Sequence, residues 1–422
     1  MAISTIKKLW INLYIITFFI SSFDIIFEEN FPLPSLSKIL SYSDEIFVII
    51  VILTTICLHK VKLKNKNFLY SLIGFSLCGF TGVIYHGNSL LVSLLGWFNT
   101  CKFPILFWCF TQVKFPVKAI LTIIRKICSI FYVVLFSYIL DLFIPDFRKD
   151  IGICAQAIEI RMDLRAIGGL FNRFTNATLY ANIFYLYYNY YRKSNKLKRF
   201  FPILMIFFSL KVKDILGFSA SFFTKVFKKI DIKRTIPIFV LIYISFLSYM
   251  ILMPEHYNEY FNDNENKSAR TVLTVTSLVI AKDNFPFGVG HGYFASPISK
   301  QYKSEVYAKY GIDGVYGLNL YDKNDGGLFM YDVFYPMLLG ETGILGTIFY
   351  IMMLIYAFSP FIKRYFNSTS NKSVIFVSFL FISYLIAAIG KPVFSGPPHA
   401  LVIWGFAGLF FNSIDDKEWK NI

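Results

Sequence analysis

This chain is poor in acid, poor in cysteine and poor in charge altogether. Asp and Glu number 26 of 422 residues against 42 Lys and Arg, and charged residues make up only 16%. With 56% hydrophobic residues, the chain holds more apolar surface than one soluble core of this size could hide. A soluble globular fold is therefore excluded. The six cysteines are Cys57, Cys78, Cys101, Cys109, Cys128 and Cys154, with no C-x-x-C spacing among them. That argues against a disulfide framework and against a structural zinc site. No internal repeat and no Gly/Ser linker divides the sequence, so residues 1–422 read as a single domain. The apolar run from Leu9 follows Lys7 and Lys8 and has no small-residue cleavage site, which reads as an uncleaved first helix.

What is present is a series of apolar stretches with Lys/Arg clusters at every second gap. The expected fold is all-α: a polytopic integral membrane protein of about 12 transmembrane helices. The expected spans are 9–27, 45–58, 68–85, 90–113, 127–143, 175–191, 200–210, 214–227, 235–253, 328–361, 374–389 and 400–411. The formal net charge of +16 is no argument for nucleic acid, because roughly 25 of the 42 basic residues fall in the gaps assigned to the cytoplasm. Both termini are placed there. Two long loops, approximately 144–174 and 254–327, then face outward. The second is too long for structureless coil, so short helices packed over the membrane domain are expected in it.

Residues able to carry chemistry gather in those loops. Arg161, Arg165 and Arg173 lie within one short outward segment, where the positive-inside rule disfavours basic residues. A guanidinium presents a fork of donors matched to phosphate oxygens, and Gly168 and Gly169 allow close backbone approach. The alternative is headgroup contact, or pairing with Asp163 and Glu159. In the second loop, Arg270 opens an apolar stretch and needs an anionic partner. Gly288, Gly290 and Gly292 surround His291, a candidate acid or base. A Rossmann reading fails because no strand precedes the glycines. Further on, Asp332 opens an apolar run, beside Tyr331. Glu341 lies half a turn away at ~100° per residue, on the opposite face of an unbroken helix. Gly340, Gly343 and Gly346 suit close helix packing, and a kink is expected at Pro336 and Gly340. Lys102 and Asp141 are the membrane charges that would suit transport, or serve structure alone.

Taken in order, the Arg-rich segment leading to Gly-Leu-Phe-Asn172, Ser-Ala-Arg270, Pro-Phe-Gly-Val-Gly-His-Gly-Tyr-Phe294 and Asp332 eleven residues before Gly343 resemble the superfamily of O-antigen polymerases and O-antigen ligases over nearly the whole chain. Ligases of that superfamily typically carry His-Asn where this chain has Asp332-Val333, so the likeness is to the Wzy-type polymerases. The resemblance implies a metal-independent, membrane-embedded glycosyltransferase of the type C class in the bacterial inner (cytoplasmic) membrane, with the two long loops in the periplasm. Donor and acceptor would be oligosaccharide repeat units on undecaprenyl pyrophosphate, with membrane lipid around them and a chain-length regulator protein as a possible partner; no cofactor, metal or nucleic acid is expected. On that resemblance Asp332, Arg270 and His291 are the candidate catalytic residues, with Arg161, Arg165, Arg173 and Tyr331 binding substrate. The alternatives are ligation of the glycan to lipid A core, and a flippase or secondary transporter.

Overall fold

The computed structural model describes residues 3–23, 39–57, 65–151, 160–161, 164–192, 194–227, 268–320, 329–367, 371–414, 416 and 419. The expected span at 235–253 and parts of both long loops lie outside them. In chain order the helices are α1 (Ile3–Ser22), α2 (Ser43–Cys57), α3 (Lys66–His86), α4 (Leu90–Thr111), α5 (Val117–Ile127), α6 (Phe131–Phe143) and α7 (Phe147–Asp150). Strands β1 (Ile160–Arg161) and β2 (Leu164–Arg165) form a minimal antiparallel ladder. Then follow α8 (Phe174–Leu186), α9 (Lys196–Phe208), α10 (Val212–Phe227), α11 (Ala269–Asp283), α12 (Pro297–Gln301), α13 (Val306–Lys309), α14 (Tyr335–Asn367), α15 (Lys372–Ala387) and α16 (His399–Phe411).

Among the described residues, five segments are long and apolar enough to cross a membrane: Lys66–His86, Leu90–Thr111, Val117–Phe143, Tyr335–Phe366 and Lys372–Gly390. The third begins ten residues before the span expected from 127, because α5 continues through a single 3-10 turn, Cys128–Ile130, into α6. The basic stretch Lys118–Lys126 is thus helical. Its apolar stripe (Val117, Ile120, Ile123, Ile124, Ile127) is buried. The pair α9 and α10 has 13 and 16 residues. At ~1.5 Å per residue neither reaches the ~30 Å of a hydrocarbon core. Exposed Leu53, Ile56, Leu77, Phe136, Ile351 and Ile355 give the bundle an apolar outer surface, as lipid-facing positions require.

The interior is aromatic. Trp404 packs against Phe68, Phe107, Phe358 and Phe394, and Tyr14 against Phe47, Phe110 and Phe406. The charge at Lys102 in α4 is neutralised internally. Its ammonium lies 2.6 Å from Asp44 Oδ2 and also contacts Glu45, both in the first turn of α2.

The kink in α14 falls at Gly343 rather than at Pro336 or Gly340. Its backbone takes φ 66°, ψ −170°, and the segment around the Gly-rich loop fills the break. The amides of Val289 and Gly290 donate to the carbonyls of Gly340 and Glu341 at 3.0 and 2.8 Å, and Leu345 N–H donates to Pro286 O at 3.3 Å. A Cβ at Gly343 would lie 2.2 Å from Pro286 O. Strained φ and backbone overlap together cost about 3 kcal/mol or more. Gly343→Ala is therefore expected to lower the apparent melting temperature in detergent steeply, whereas Gly314→Ala, in open space, should not. Equal melting of the two variants refutes this account of the kink.

Candidate functional site

The Arg-rich segment folds back on the bundle. Asp141, near the end of α6 and 1% exposed, accepts hydrogen bonds through Oδ2 from the amides of Gly168 (2.8 Å) and Gly169 (2.9 Å). Its Oδ1 accepts from Arg165 Nη2 at 2.8 Å. The same guanidinium nitrogen also reaches the carbonyls of Ile144 and Pro145. Arg165 and the two glycines thus meet a carboxylate inside the protein, not an open surface. Asp141, expected to suit transport or serve structure alone, is what fixes this loop. Arg161 is placed by its backbone in β1, opposite Leu164.

His291 is enclosed as well. It is fully buried, with its ring 5.1 Å from that of Phe75 and 5.5 Å from that of Phe80. Only a glycine leaves room for it at position 79, where a Cβ would sit 2.2 Å from Nε2. Burial pushes its pKa down to about 3, so the ring is neutral at physiological pH. These surroundings make His291 a packing element between α3 and the Gly-rich loop rather than an acid or base in reach of substrate. Glu341 belongs to the same assembly. It is buried, and its Oε1 accepts from Phe294 N–H at 3.4 Å.

Arg270 and Asp332 do meet. Ser268 caps α11, so Arg270 falls in the first turn of that helix. Asp332 lies in the turn before α14, not within it. Arg270 Nη2 donates to Asp332 Oδ2 at 2.6 Å, with side-chain exposures of 41% and 30%. That is enough for a ligand to reach either group. Arg270 Nε is buried and has no hydrogen-bond partner among the described residues. Tyr331, adjacent in sequence, is half-buried, with Lys300 Nζ 6.0 Å from its ring centre.

Beside this pair lies a larger cationic cluster. Lys213, in the first turn of α10, donates to Gly390 O and lies within electrostatic range of Arg270, Asp332, Lys211 and Asp214. Lys391, in the turn between α15 and α16, contacts His399 Nε2 at the start of α16. That nitrogen lies 3.0 Å from Thr175 O in the first turn of α8. Lys391 also senses Arg173, Lys211 and Lys213. The buried carboxylate in their midst, Asp214, accepts from Thr178 Oγ1 at 2.9 Å. Of the residues expected from sequence, Arg173, Arg270 and Asp332 therefore share one end of the bundle, with Lys213 between them. Arg165 and His291 are engaged elsewhere. Lys211, Lys213, Lys391 and His399 were missed, although one signal was available. Lys211, Lys213 and Lys391 stand in gaps that the charge alternation assigns to the outside, where basic residues are disfavoured. No family model matches this sequence, and no curated protein is detectably similar to it.

Proposed function

We propose that this chain is a membrane-embedded glycosyltransferase that polymerises oligosaccharide repeat units carried on undecaprenyl pyrophosphate, on the periplasmic side of the bacterial inner membrane. The observation that carries this reading is the solvent-reachable Arg270–Asp332 pair, in which a guanidinium retains an unpartnered buried donor. In the resting state each group neutralises the other. An incoming diphosphate competes for the exposed guanidinium end of Arg270 and releases the carboxylate of Asp332 toward the acceptor. Asp332 takes the proton of the acceptor hydroxyl as that oxygen bonds to the anomeric carbon of the donor sugar. The bond from the anomeric carbon to the diphosphate oxygen breaks, and undecaprenyl pyrophosphate departs with its charge held by Arg270. Tyr331 lines the same opening. A chain-length regulator protein would act from outside this site.

A transporter reading is weakened by the two charges it would use. Lys102 is bound to Asp44 and Glu45, and Asp141 to Arg165 and the Gly168–Gly169 amides. The decisive experiment supplies purified protein in detergent with lipid-linked repeat units and no membrane gradient. A ladder of products longer than one repeat is the expected result. Movement of the lipid-linked unit across proteoliposomes with no new glycosidic bond overturns the proposal, and transfer only to lipid A core would make the chain a ligase.

A further inference from the structure

We infer that Arg173, Lys211, Lys213 and Lys391, with His399 beside them, form a binding site for a phosphate-type oxyanion. Four cationic side chains from three segments (Arg173, the Lys211–Lys213 stretch and Lys391) converge around Asp214, whose Oδ2 is already engaged by Thr178. Arg173 is exposed, and Lys211, Lys213 and Lys391 are half-buried. The first turns of α8, α10 and α16 supply Thr175, Lys213 and His399, so three helix N-termini, each the positive end of its dipole, meet at the cluster. A second, independent feature points the same way. Tyr384 is 2% exposed and its ring centre is 5.7 Å from that of His399, yet its hydroxyl has no partner among the described residues. It lies within range of the Asp214 charge. A buried donor left idle beside surplus positive charge suits an acceptor-only ligand.

The cations are held under mutual strain in the unliganded protein. Burial, and then the charges of Arg270 and Lys211, bring the Lys213 pKa down to about 8 despite Asp214 and Asp332. Burial, with Lys213, Arg173 and Lys211, holds Lys391 well below the ordinary lysine range. An oxyanion relieves both, and a diphosphate has oxygens enough to span several ammonium groups. Identifying that diphosphate with the lipid carrier's leaving group rests on the proposed glycosyl transfer. The anion site itself does not.

The test is titration calorimetry of the full-length detergent-solubilised protein with inorganic pyrophosphate at pH 7 and low salt. Saturable binding is expected, weakened at least ~10-fold in Lys213→Gln/Lys391→Gln, since each substitution removes a charge-assisted hydrogen bond to the anion. Arg173→Gln, at an exposed position with little bearing on folding, should weaken it as well. Lys114→Gln, which breaks a remote pair with Asp416, should not. Binding should weaken from pH 7 to 9 as Lys213 loses its proton near 8. The groups facing it are Asp214, Lys211, Arg270, Asp332, Lys391 and His399. Absence of binding, or equal binding by wild type and both cluster variants, overturns the inference. In nanodiscs, suppression of wild-type pyrophosphate binding by phosphatidylglycerol would assign the site to a lipid headgroup phosphate, and persistence would assign it to a free or carrier-borne diphosphate. Because the readout is binding and not transfer, its failure would leave the Arg270–Asp332 chemistry standing.

Discussion

Asp332→Asn is expected, on the proposed glycosyl transfer, to lower polymer formation by ~10²–10⁴-fold, the range that a positioned general base contributes. The protein should still purify as a folded species. The amide is nearly isosteric and can still accept from Arg270, but it takes no proton. Arg270→Gln should cost ~10²–10³-fold, the range for loss of one donor to developing negative charge. Arg270→Lys should recover only part of this, because an ammonium lacks the planar fork. The two groups touch at 2.6 Å, so their effects must be measured as a cycle. If each acts separately on substrate, the two losses multiply; a double variant no worse than the worse single one would mean that the pair works as one unit. The charge-reversed variant Arg270→Asp/Asp332→Arg separates structure from chemistry. It keeps an ion pair at the same place and should stay folded, but should remain inactive. Recovery of polymer in the reversed variant, or near-normal turnover by Asp332→Asn, would show that the pair merely ties α11 to the turn before α14.

The sequence makes some of this visible and hides the rest for identifiable reasons. Apolar runs disclose helices because a span must satisfy its backbone internally, and the described residues are overwhelmingly helical. Spans are less visible than helices. The α9–α10 pair and α16 are apolar, yet shorter than a crossing helix. Arg270 and Asp332 could be singled out because each places charge beside apolar sequence. Their contact could not, since 62 positions separate them. Arg165 is hidden for the opposite reason. Its guanidinium looks outward in sequence, but the carboxylate that answers it belongs to a helix 24 positions earlier. His291 misleads because Gly288, Gly290 and Gly292 resemble a ligand-cradling turn. They serve the protein's own packing: Gly288 lets the loop enter the break at Gly343, while Gly290 and Gly292 let it pass close to α3 and α4. The lysine cluster is divided among the α9–α10 turn, the first turn of α10 and the α15–α16 turn. No local window contains it, and sidedness of charge is its only trace.

Asp141→Ala should be among the most destabilising single changes in the chain. The carboxylate has no water to replace its partners, being 1% exposed, and it holds Arg165 and the two amides of Gly168 and Gly169 at once. Removing it leaves a guanidinium and two N–H groups facing one another in a partly buried pocket. Breaking one side of a buried pair costs ~3–5 kcal/mol, chiefly through the charge left behind. Asp141→Asn keeps acceptor capacity at one oxygen and should cost less. The comparison that bears on function is Asp141→Leu/Arg165→Met. Replacing both partners with apolar groups removes the uncompensated charge but leaves the Gly168 and Gly169 amides without their acceptor, so stability should return only part of the way toward wild type, yet above either single change. Thermal unfolding in detergent reads that part of the cycle. Polymer synthesis by the same four proteins reads the other. If Arg165 anchors the loop, the double variant regains activity together with stability. If it regains stability and stays inactive, the guanidinium must leave Asp141 to act on substrate, and the loop bearing Arg161 and Arg165 opens during turnover.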